Sequence, residues 1–227
     1  MRTSTTAGQV MTRDVITATP ATPFKDLVGM IVTNGVGAVP VVSPEGALLG
    51  VVTEADLLCR QAHQDDRLGA GCPHFAGHLT REDWRKAAAQ TAGTLMTAAP
   101  RTTAPGATLP EVARMLTTSG VRRLFVLDGA RLVGVVTRRD LLRTFLRTDE
   151  DLQADVDRTV FHDALHADRN AVLASVERGV VLLTGRLEYE ADVATAERLA
   201  LAVPGVVGVK NRMDFVWQGR SPQHAGG

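Results

Sequence analysis

Two stretches, Val51-Val52-Thr53-Glu54-Ala55-Asp56 and Val135-Val136-Thr137-Arg138-Arg139-Asp140, carry residue types suited to holding a phosphorylated sugar. In each, a β-branched pair gives way to a Thr where a helix N-cap should stand, with an Asp three residues on. A strand-to-helix junction of this kind gathers a hydroxyl, a carboxylate and the unpaired N–H groups of a first turn. The amides and hydroxyl suit phosphate oxygens, and the carboxylate can accept two hydrogen bonds from a ribose diol. Capping is the commoner use of Thr and Asp at a helix start. Their recurrence in an equivalent frame favours binding. No general base adjoins either site. The chain also lacks a nucleophile elbow, a Gly-Lys-Ser/Thr phosphate loop, paired catalytic carboxylates and a His-Glu-x-x-His helix, so the expected role is to hold a ligand, not to convert it.

The elements that position these residues form an internal repeat. Val10-Met11-Thr12 returns as Leu95-Met96-Thr97, Thr17 as Thr102, Pro20 as Pro105 and Met30 as Met115, at an offset of 85. Gly50 to Leu58 returns as Gly134 to Leu142 at 84, which places one deletion in the loop between. Two copies of one supersecondary unit pack against each other. The first copy predicts a helix from Pro23 to Thr33 with Leu27, Met30 and Ile31 on one face, strands Ala38 to Val42 and Leu48 to Val52, and a helix after Thr53. The second predicts a helix from Leu109 to Thr118, strands Arg123 to Leu127 and Leu132 to Val136, and a helix after Thr137. Between them, residues 61 to 79 read as a loop, and Thr80 to Ala87 as a capped helix carrying Trp84.

A third unit begins near Leu152, where Leu152, Val156, Val160 and Ala164 mark a helical face. Strands Val172 to Val176 and Gly179 to Thr184 flank a tight Arg178-Gly179 turn. A second helical stripe follows at Tyr189, Val193, Ala196, Ala200 and Val203, stopped by Pro204-Gly205, and Val206 to Val209 opens a last strand. The tail from Gly219 reads as disordered. Cys59, His63, Cys72, His74 and His78 match no paired zinc spacing, so no metal is expected; His162 and His166 could share a helical face but lack a third ligand.

Lys and Arg together equal Asp and Glu at 25 each in the 227 residues, which gives no overall field towards nucleic acid or anionic membrane. The start of the chain lacks an apolar signal core, no apolar run approaches a membrane span, and two cysteines do not make a secreted disulfide framework. The expected location is the cytoplasm.

The paired blocks, with Met-Thr at the start, Gly-x-x-x-x-Pro-Val or its equivalent mid-unit and Gly-Val-Val-Thr-x-x-Asp at the end, resemble a tandem of CBS domains, a Bateman module, over about residues 8 to 147. The resemblance implies an α/β (α+β) fold: two αβ units, 8–60 and 94–147, joined by a loop and connecting helix at 61–93 and packed sheet to sheet about a pseudo-twofold axis. It also implies two clefts for adenosine nucleotides or related adenosyl compounds. One cleft would join Thr17, Val36, Gly37 and Ala38 to Arg122, Arg123, Thr137 and Asp140; the other would join Thr102, Val121, Arg122 and Arg123 to Thr53 and Asp56. Phe125 departs from the family pattern, standing where Pro40 stands in the first repeat, and puts the strand geometry of the second repeat in question.

Residues 10 to 58 hold two basic and five acidic residues, whereas 95 to 147 hold nine and three. Small Gly37 and Ala38 leave room for an adenine, so the Asp140 cleft is the expected nucleotide site.

Residues 152 to 217 resemble a BON domain through Gly179-Val180-Val181-Leu182-Leu183-Thr184-Gly185 and Val203-Pro204-Gly205-Val206-Val207-Gly208-Val209, in the order αββαβ, with 218–227 a disordered tail. That family is associated with envelope attachment and protein contacts. Ten acids against seven bases over the unit argue against anionic lipid. The combined expectation is a non-enzymatic, homodimeric sensor that needs no cofactor, binds an adenosyl nucleotide as regulatory ligand and relays its state to a partner protein. The alternative is an interaction scaffold with unoccupied clefts.

Overall fold

The computed structural model describes residues 5–58, 86, 88–168 and 170–219. Within them the chain divides into two compact units, one over residues 6–137 and the other over residues 138–219. The fold is mixed α/β.

In the first unit each repeat places one helix against an antiparallel hairpin. Helix Phe24–Asn34 packs on β1 (Ala38–Val42) and β2 (Leu48–Thr53); helix Leu109–Thr118 precedes β5 (Arg123–Asp128) and β6 (Arg131–Thr137). Leu27 and Ile31 are buried as their spacing predicts, and Met30 packs at the edge of the same cluster. Gly35 ends the first helix at φ 61°, a left-handed C-cap that glycine adopts without a Cβ clash. Val42 pairs with Leu48 across five intervening residues and Leu127 with Leu132 across four, so the one-residue deletion lies in the hairpin turn.

The segments that lead into each repeat are exchanged. Gly8 donates its N–H to the Pro105 carbonyl and Gly93 to the Pro20 carbonyl, each at 2.9 Å. Thr12 bridges to Val135 of β6, while β3 (Thr97–Ala98) adds to β2, giving a sheet in the order β1-β2-β3. The first repeat's core, with Leu27, Val39 and Val52, is accordingly completed by Ala89, Ala92 and Leu95 from the segment that leads into and opens the second. The hairpins meet where Ala38 and Val51 of one pack with Phe125 of the other.

Phe125 leaves the strand geometry intact, because β5 carries its register irregularity at Val126/Leu127 where β1 carries one at Val41/Val42. The Phe also supplies an N–H that Pro40 lacks: it donates to the Arg101 carbonyl at 3.1 Å. A two-residue parallel strand β4 (Thr102–Thr103) forms beside β5, in the order β4-β5-β6, where the first repeat has only the Ala18–Val41 bridge.

The second unit follows the expected order of helix, two strands, helix, strand. Helix Asp149–Val156 is followed by β7 (Val172–Glu177), β8 (Val180–Tyr189), helix Glu190–Leu201 and β9 (Gly208–Trp217), with sheet order β7-β8-β9. Arg178 and Gly179 form the expected turn with φ 51° and 75°, and their N–H groups donate to the Asp149 carboxylate at 2.7 and 2.8 Å. The predicted helical stripe needs one correction. Asp157–His162 winds as a π-helix, so Val160 and its neighbour Phe161 are both buried and Ala164 falls beyond the helix. His166 lies outside it too, with φ 50°, and shares no helical face with His162.

Candidate functional site

The first repeat's junction forms where β2 ends at Thr53 and residues 54–58 turn helical. Asp56 is buried at 8 % exposure, and its Oδ2 accepts from the Thr53 N–H at 2.8 Å and the Thr53 hydroxyl at 2.7 Å. The Glu54 N–H donates to the Gly37 carbonyl at 3.4 Å. Thr53 and Asp56 therefore cap each other. The Thr53 hydroxyl donates to the Asp56 carboxylate three residues on.

The other oxygen of Asp56 is also held. Lys86 Nζ donates to Asp56 Oδ1 at 2.8 Å and to Thr97 Oγ1 at 2.7 Å, with the lysine and aspartate side chains 13 % and 10 % exposed. Sequence reasoning missed Lys86. It lies 30 residues from Asp56 in the connecting stretch, and only its place in the expected helix hinted at an inward role.

A second cation approaches from the second repeat. A Cβ on Gly37 would lie 2.9 Å from Arg123 Nη2 and 3.3 Å from Glu54 Oε2. The Arg123 guanidinium thus stands beside Gly37. Burial holds the Arg123 pKa below the ordinary arginine range, with Glu54 opposing that shift and Arg122 adding to it. Ala38 turns its methyl into the cluster with Val51 and Phe125, and Val36 packs against the first repeat's core.

The structure thus gathers Gly37, Thr53, Asp56 and Arg123 around one junction, where charge summed by repeat misleads. That sum assigns Arg123 to the basic second repeat and omits Lys86 altogether. Thr17 and Arg122 are exposed; Thr102 and Val121 are half-buried, Thr102 on β4 and Val121 just before β5. Thr137 ends β6 in the first unit, whereas Asp140 belongs to helix Arg138–Arg143 of the second, so the expected Asp140 grouping is drawn from both units. Asp140 is 8 % exposed, and Arg143 Nη1 stands 3.4 Å from its Oδ1.

Within the second unit a cavity of about 490 Å³ lies beside the π-helix, lined by Asp157, Arg158, Phe161, His162 and Leu173 among others. No group of three His, Cys, Asp or Glu able to hold a metal occurs among the described residues, and the central Cys and His residues lie outside them, as do Trp84 and nearly all of the tail. No helix among the described residues is long and apolar enough to cross a membrane.

The family model of the CBS domain matches residues 7–62 and 92–147, and that of the BON domain matches 148–216. The chain is a CBS-domain protein with a BON domain. Among curated relatives, an uncharacterized protein of Methanocaldococcus jannaschii, MJ1225, is 26 % identical over 135 residues, covering 60 % of this chain and 41 % of its own length. The CBS domain-containing protein CBSX1 of Arabidopsis thaliana chloroplasts is 28 % identical over 156 residues, with 63 % and 64 % covered. The chain thus spans less than two thirds of each. The crystal structure of CBSX2 in complex with AMP matches 62 % of this chain and 96 % of its own, at 27 % identity and a TM-score of 0.50.

Proposed function

We propose that the CBS pair binds an adenosyl nucleotide as a regulatory ligand, and that the BON domain passes the bound state to a partner protein without catalysis. The observation that carries this reading is the pair of Thr-x-x-Asp junctions on reciprocally packed repeats, each with a buried Asp. The likeness to CBSX2, whose structure holds AMP, supports the adenosine class. The proposed sites are Thr17, Val36, Gly37, Ala38, Arg122, Arg123, Thr137 and Asp140, with Thr53, Asp56, Thr102 and Val121 at the second. A homodimer of CBS pairs in the cytoplasm is part of the same proposal. Ligand acts on the partner only through differential affinity for two arrangements of the protein.

The test is the thermal midpoint of the wild type with AMP, ADP, ATP, NAD and S-adenosylmethionine. A ligand at a hundred times its dissociation constant adds about 2.7 kcal/mol. A rise specific to one ligand and reduced in Asp140→Ala or Asp56→Ala supports the sensor and names its signal. A second reading, a scaffold whose BON domain binds a protein or envelope component, is favoured by one observation: Lys86 and Arg123 already fill the Asp56 junction. No rise with any of the five ligands would select it.

A further inference from the structure

We propose that Lys86 sets the charge specificity of the Asp56 junction, making it select adenosyl ligands that carry an anionic group beside the ribose diol. The inference rests on the nucleotide-binding reading above and adds to it the class of ligand this junction takes. A carboxylate offers about four lone-pair sites. Two on Asp56 Oδ2 are used by Thr53, and one on Oδ1 is used by Lys86 at 2.8 Å. A diol donates two hydrogen bonds. It can seat on Asp56 only by displacing Lys86 from Oδ1.

The displaced ammonium sits on a side chain only 13 % exposed, where a charge stripped of its partner is costly. What the ligand brings decides whether that cost is offset. An uncharged nucleoside leaves Lys86 with Thr97 Oγ1 alone, while a cationic adenosyl compound adds repulsion from Lys86 and from the half-buried Arg123. A phosphate supplies the partner that Asp56 gives up, through charge-assisted hydrogen bonds. Lys86 thus rejects ligands that take its aspartate without returning an anion.

The test is isothermal titration of the full chain with AMP and with adenosine, in the wild type, Lys86→Gln and Lys86→Met. Gln keeps a donor towards Asp56 and Thr97, so it guards against a folding defect in Met, and thermal midpoints check both variants. The expected result is a wild type that prefers AMP by about tenfold or more, with either neutral variant losing about tenfold in AMP affinity while adenosine binding holds or improves. Lys86→Arg, which keeps the charge, retains most of the preference. AMP binding to the wild type that neither neutral variant weakens would overturn the role of Lys86 and leave the nucleotide reading standing. Failure of both ligands to bind the wild type would overturn the two together.

Discussion

Arg123 of the second repeat carries its Nη2 to 2.9 Å from the point where a Cβ on Gly37 of the first would stand. The contact is made by the far end of a flexible side chain, so Gly37→Ala should displace the guanidinium at a cost below about 1 kcal/mol. Gly50→Ala meets Met96 Sδ at 2.6 Å and the Thr97 carbonyl oxygen at 2.9 Å, which is backbone of β3 and does not swing aside. That substitution should cost about 2 kcal/mol or more by overpacking. Urea denaturation of both variants checks the order; a larger loss for Gly37→Ala would mean that Arg123 is fixed in place.

Leu95 is fully buried in the first repeat's core although it belongs to the start of the second. Leu95→Ala should therefore cost about 2–5 kcal/mol and destabilise both repeats in one transition. A fragment ending at residue 58 lacks Ala89, Ala92 and Leu95 and should show no cooperative unfolding by circular dichroism. A folded fragment would show that the exchanged segments are dispensable.

Local alternation and the repeated offset made most elements legible in the sequence. Leu109–Thr118 forms as its spacing predicts, and Gly8, Gly93, Pro20 and Pro105 stand at repeated positions because each Gly meets the other repeat's Pro. The exchange itself left no local trace, since periodicity reports which face of an element is buried but not against what. The π-helix was hidden for a similar reason. Leu152, Val156 and Val160 continue the stripe, and the extra residue shows only in the burial of Phe161. The site was legible in part: Thr53 and Asp56 were found by pattern, but Lys86 reaches Asp56 across 30 residues and enters no local motif.

Asp56→Ala removes a helix cap and strands the Lys86 ammonium at 13 % exposure. Breaking a nearly buried pair from one side should cost about 3 kcal/mol, against about 1 kcal/mol for Thr53→Ala, which loses capping alone. Adding Lys86→Met to Asp56→Ala should recover part of the loss, because the orphaned charge goes with it. A double-mutant cycle by urea denaturation measures the coupling, and a strictly additive result would mean that solvent already screens the pair.

Glu111 closes the second repeat's helix start, where its Oε2 accepts from the Thr108 N–H at 2.8 Å and the Thr108 hydroxyl at 2.9 Å. These bonds, the backbone one foremost, favour the charged carboxylate and hold its pKa below the ordinary glutamate value. A folded-state pKa below the unfolded one contributes stability that is present above the unfolded pKa, about 4.3, and is lost as pH falls through the folded value. Glu111→Gln keeps an acceptor but removes the charge. The urea midpoint of the wild type should therefore exceed that of Glu111→Gln by a constant margin between about pH 5 and 7, and the margin should shrink below about pH 4.3. A margin unchanged down to about pH 3 would assign the cap's worth to hydrogen-bond geometry and not to charge.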